Sequence, residues 1–142
     1  MPADSNDRDQ GSALLLMPVA VLIVIILGAI AVDSSITFLA QRELVDATQA
    51  AANDAATYGA DVGQIRSGSG YTLDRSRVDE AVRRAFAARG LDRVDLSYEV
   101  VGGSLVVHAR RRVSTVFSKA IPGGEGSVVV TARATGQARA RR

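Results

Sequence analysis

The chain contains no cysteine and no tryptophan, and His108 is its only histidine. Without thiols there is neither a disulfide framework nor a thiolate metal site. One histidine leaves no His/Cys/carboxylate cluster with metal-ligand spacing, and no catalytic constellation can be assembled. On an alternating strand, His108 reads as a partly exposed sheet residue. Gly68-Ser69-Gly70 lacks both the Gly-Lys-Ser/Thr that should follow and the strand that should precede a phosphate loop. Asp46 and Asp54, eight apart, read as a solvated helix face. These absences predict a non-enzymatic protein with no cofactor and no metal. Aromatic residues are few, 4 % of the chain, which predicts a modest core. The net charge is only +2, and the part beyond Val32 carries about +4. That balance is too mild to argue for nucleic acid.

A further absence is local. No charged side chain occurs from Ser12 to Val32, a run of 21 residues. At the standard helical rise it is about 31 Å long, enough to cross a bilayer core. Unpaired backbone groups are costly in hydrocarbon, so a lone lipid-facing segment must be helical despite Val21, Ile23, Val24, Ile25 and Ile26. Pro18 is expected in the first two turns, where few hydrogen bonds are lost. Gly28 leaves a notch for a partner helix, without a GxxxG pattern. The polar segment 1–11 carries Asp4, Asp7 and Asp9 against Arg8, unlike the basic start of a secretory signal. Ala29-Ile30-Ala31 nevertheless matches A-x-A, so release of a secreted or tethered binding module by cleavage near Ala31 stands as the alternative. The nearest flanking basic residues, Arg8 and Arg42, balance each other. The expected location is the cell membrane, single-pass, with the C-terminal part outside the cytoplasm.

Beyond Asp33, taken as the membrane-boundary residue, helical periodicity continues over 33–59. Ile36, Ala40, Leu44, Ala47, Ala51, Ala55 and Tyr58 recur at spacings of three and four and define one face. Being mostly alanine, this face suits close helix packing and is the expected assembly surface. One helix from near Ala13 to Tyr58 is predicted, a transmembrane half over 12–32 and an outward half over 33–59. Residues 60–74 are Gly/Ser-rich and read as a linker. A small α+β domain is expected over 75–138. It comprises a helix over 75–89, capped by Asp74 or Ser76 and ended by Gly90, laid on a three-stranded, mostly antiparallel sheet. Gly102-Gly103 is its hairpin signal. Arg110-Arg111-Arg112 and the basic tail 139–142 read as solvated charge, or as contacts to an anionic envelope surface. The apolar loop Val116 to Ile121 reads as cover for the small core, with a docking patch as the alternative.

The order of these features carries a resemblance. Arg8-Asp9-Gln10-Gly11-Ser12, the apolar run with its early Pro18, Ala31-Val32-Asp33, then Gln41-Arg42-Glu43-Leu44 and the Ala-rich stretch Ala47 to Ala60 resemble the TadE/TadG-like family. These are pilin-like membrane proteins associated with Flp (tight adherence) pilus assembly. The resemblance covers roughly residues 8–60 and implies a pilin-like fold. It further implies a role as a minor pilin or assembly factor, with other pilus subunits as partners through the N-terminal helix. It marks Gly11 and Ser12 as a possible processing point. Counted from Gly11, however, Leu16 stands where type IV prepilins carry glutamate. The resemblance therefore carries the architecture and not the glutamate-paired insertion of a regular pilin.

Overall fold

The computed structural model describes residues 6–59, 73–101 and 104–137, with the side chains of the first helix taken from Leu16 onward. The linker residues 60–72, the Gly102-Gly103 turn and the tail 139–142 lie outside the described residues.

A single helix, α1, runs from Asn6 to Tyr58, 53 residues in all. At about 1.5 Å per residue it is roughly 80 Å long. Its start lies outward of the expected Ala13. Pro18 is therefore in the helix interior, where the ladder continues on both sides of the bond that proline cannot make. Hydroxyls along α1 bond back to their own helix: Ser35 to the Ala31 carbonyl, Thr37 to Asp33, Thr48 to Leu44 and Thr57 to Asn53. In this way Thr48 is fully buried without an unpaired hydroxyl.

The second helix, α2, spans Arg75–Ala87. Asp74 caps it by accepting from the Ser76 hydroxyl at 2.6 Å and the Ser76 amide at 2.9 Å, and these bonds, the hydroxyl's first, hold its carboxyl below the usual carboxylate range. Gly90 closes the far end in the left-handed region (φ 67°) and turns Leu91 back into the core. Three strands follow: β1 (Asp95–Val101), β2 (Ser104–Ser114) and β3 (Ser127–Gln137). They form an antiparallel meander in the order β1-β2-β3. The class is α+β.

Strand alternation sorts the faces. Leu105, Val107, Ala109 and Val113 of β2, with Val130, Ala132 and Ala134 of β3, point inward. The layer covering them is not α2, as expected, but the second half of α1. The latter lies against β3 and β2, and α2 packs mainly on α1. The reason is side-chain size. Alanines let the helix backbone come close, and the facing strand has a glycine at the crossing. A Cβ on Gly136 would lie 2.0 Å from the Ala52 carbonyl oxygen. Residues 33–59 and 75–137 therefore share one core, in which Leu44 and the α1 alanines meet Val78, Val82 and Phe86 of α2 and the inner sheet residues. The expected boundary between an outward helical extension and a separate small domain is replaced by one domain built around α1.

Candidate functional site at the junction of span and domain

Nearly every large apolar residue from Leu16 to Val32 is exposed. Among the described residues, α1 is the one helix long and apolar enough to cross a membrane. The next residue is Asp33, a carboxylate only 8 % exposed. Its environment is built by the β2–β3 loop, 115–126. Oδ1 accepts from the Val116 amide at 2.8 Å and the Phe117 amide at 3.1 Å. Oδ2 accepts from the Phe117 amide at 3.2 Å, the Ser118 amide at 2.7 Å and the Ser118 hydroxyl at 2.6 Å. The Ser118 hydroxyl does most to favour the ionised form and the three backbone amides add to it. Together they outweigh desolvation and pull the carboxyl down from 3.8 to about 2.

The loop is shaped to present those donors. Ser118–Ala120 form one 3-10 turn, and Ile121 donates back to the Ser118 carbonyl. Thr115 is buried and ties the loop's two stems, its amide to Gly126 O and its hydroxyl to Glu125 O. Because three successive N–H groups converge on one carboxylate, the side chains between them turn outward. Val116, Phe117 and Ile121 are exposed and do not cover the core, contrary to the sequence expectation. The covering is supplied by α1 itself.

Two further polar ties hold α1 to the sheet above Asp33. Gln41 donates to the Thr131 carbonyl at 2.7 Å, and Glu43 pairs with Arg111 at 2.9 Å. The arginine triplet is thereby divided. Arg111 faces the helix, while Arg110 and Arg112 are exposed on the other side of the strand. They do not form the three-residue patch expected for an anionic surface.

The expected assembly face is covered by the chain's own domain. Leu44, Ala47, Ala51 and Ala55 are fully buried, Ile36 and Ala40 are half-buried, and Tyr58 is exposed. Thr48, Ala52 and Ala56 are buried beside them, so the helix is enclosed over a wider arc than the seven-residue stripe. A sister helix would have to displace the sheet or α2 to reach that stripe. Gly11 and Ser12 lie inside α1. Sequence reasoning marked Asp33 but missed Ser118, which lies 85 residues away. The available signal was the carboxylate itself: placed directly after an uncharged span, it requires donors from elsewhere in the chain.

The outer face of the sheet is open and polar. A groove of about 610 Å³ there is lined by Asp95, Ser97, Glu99, His108, Arg110 and Thr131, among others. His108 Nε2 lies 3.7 Å from Glu99, and both side chains are well exposed. Among the described residues no group of three His, Cys, Asp or Glu is placed to hold a metal ion.

No protein-family model matches the chain, and neither a curated protein nor a solved structure matches it.

Proposed function

We propose that the chain is a non-enzymatic, single-pass envelope protein, a minor pilin-like or assembly component of a Flp/tight-adherence (type IV-related) pilus or secretion apparatus. Residues 33–142 would lie outside the cytoplasm. The observation that supports this reading is the division of α1. Its first half is apolar and exposed on its flanks, and its second half is the spine of an antiparallel α+β domain. One rigid helix joining a lipid-embedded end to a folded head is the build of a pilin-like subunit, and the motif order over residues 8–60 points the same way. Because the alanine stripe is internal, contacts with other subunits fall to the lipid-exposed half. There a Cβ at Gly28 would meet nothing within 4 Å.

The chain has no native cysteine, so single-cysteine variants at Leu22 and Ile26 allow cross-linking in the source membrane. The expected result is adducts with pilin or pilus-assembly subunits, and loss of piliation on deletion of the gene. A membrane-resident protein that gives no such adducts, with piliation intact after deletion, would overturn the proposal.

A second reading is a secreted or tethered binding module released near Ala31. It is favoured by the fact that residues 16–32 add nothing to the core. Intact mass of the mature protein decides between them: a chain beginning at Val32 selects release, and one retaining the span selects the anchored form.

A further inference from the structure

We infer that the β2–β3 loop is a second membrane contact, dipping its apolar tip into the interfacial layer of the same bilayer that α1 crosses. This rests on the reading of residues 12–32 as the span.

The argument begins with height. Asp33 is the first residue beyond the span, and its carboxylate receives the amides of Val116, Phe117 and Ser118 and the Ser118 hydroxyl. The loop is therefore fixed at the level where the hydrocarbon ends. The headgroup layer on each side of a bilayer is about 5–7 Å thick. Rising along α1 from Asp33, Phe38 and Leu39 lie about 8–9 Å higher at the standard helical rise, just beyond that layer.

The loop's composition fits that layer. Val116, Phe117 and Ile121 are 47 %, 42 % and 63 % exposed. Apolar side chains this open to water at the base of a small domain are unfavourable unless something covers them. The chain's only lysine, Lys119, lies between Phe117 and Ile121 and is exposed. An apolar stem with a cationic head suits the boundary between acyl chains and phosphates. A groove of about 560 Å³ between α1 and β3 starts at Asp33 and Ser118 and rises from that level to Gln41.

The arrangement also solves a problem for Asp33. A nearly buried carboxylate at the end of a span is costly where water does not reach it, unless the chain supplies donors. Here the loop brings them, and in return the carboxylate holds the loop down. The occupant of this surface is the lipid interface and not another protein, because the loop is hydrogen-bonded to the residue at which the span ends and so lies at the adjoining height.

The absence of tryptophan supplies the probe. Single-tryptophan variants Phe117→Trp, Ile121→Trp, Leu22→Trp and Thr135→Trp of the full chain are reconstituted into phosphatidylcholine vesicles. The lipids carry bromine either near the headgroup or near the chain end. The expected result is blue-shifted emission at positions 117 and 121, with loss of intensity to the shallow bromine and little loss to the deep one. Leu22→Trp should lose intensity to the deep bromine, and Thr135→Trp, on the open sheet face, to neither. Asp33→Asn in the Phe117→Trp background should weaken the shallow quenching and leave position 22 unchanged. If positions 117 and 121 behave like position 135 while position 22 is deeply quenched, the loop contact is overturned and the span stands. Blue-shifted emission that no brominated lipid reduces places the loop against protein, such as a second copy, and also overturns it. If position 22 is unquenched, the spanning reading fails. The loop contact, which rests on the span, then falls with it.

Discussion

Asp33 is a nearly buried carboxylate, and five hydrogen bonds from one loop favour its ionised form. Its folded value, about 2, lies below the ordinary 3.8. The sign follows from linkage. The bonds favour the folded state fully above the unfolded value, and that contribution disappears as pH falls through the folded one. Docking of the loop is therefore expected to be constant from neutral pH down to about pH 4 and to weaken between about pH 4 and pH 2. The carboxyl-carbon NMR shift of Asp33 in detergent micelles checks this, and Ser118→Ala should move the midpoint upward by removing the largest stabilising bond. A midpoint near 3.8 in the unaltered chain would contradict the hydrogen-bonded geometry.

Packing of α1 on β3 depends on small residues at the crossing. Gly136 faces the Ala52 carbonyl so closely that any side chain must push helix and strand apart. Gly136→Val is expected to cost about 1–3 kcal/mol, in the range for overpacking a close-fitted core, measured by denaturant unfolding in micelles. Leu44 is fully buried among the alanines and anchors the lower end of that contact. Leu44→Ala should cost about 2–5 kcal/mol, because the neighbouring backbone elements have little room to collapse into the gap. Arg110→Ala, on the open face, should stay within about 0.5 kcal/mol. Stability equally insensitive to all three would contradict the packing described.

The long helix has two unlike halves, an exposed apolar one and one that carries the domain core. Residues 16–32 touch none of the domain core, so the domain is expected to fold without them. A chain lacking residues 1–32 should be soluble at low concentration, with the helical and sheet signature of the domain by circular dichroism and a cooperative thermal transition. It should also associate with vesicles weakly through the β2–β3 loop, and not at all after Phe117→Ser and Ile121→Ser. A fragment that fails to fold would mean that the span contributes to the core.

The sequence by itself determined the elements. A run of 21 uncharged residues has one stable conformation in lipid, and period-four alanines, Asp74, Gly90 and alternating valines each specify local structure over a few residues. Only the tertiary structure decided which surfaces meet. An alanine stripe fits a sister helix, α2 or a sheet equally well by pattern. The choice here was made by Gly136, more than 80 residues away, which lets β3 approach Ala52. The pairing of Asp33 with Ser118 and of Glu43 with Arg111 was likewise invisible, since contacts between distant segments leave no local periodicity. Asp33 could be read as the edge of the membrane. That it also grips the β2–β3 loop required the folded chain, because a carboxylate's partners are set by geometry and not by its neighbours in sequence.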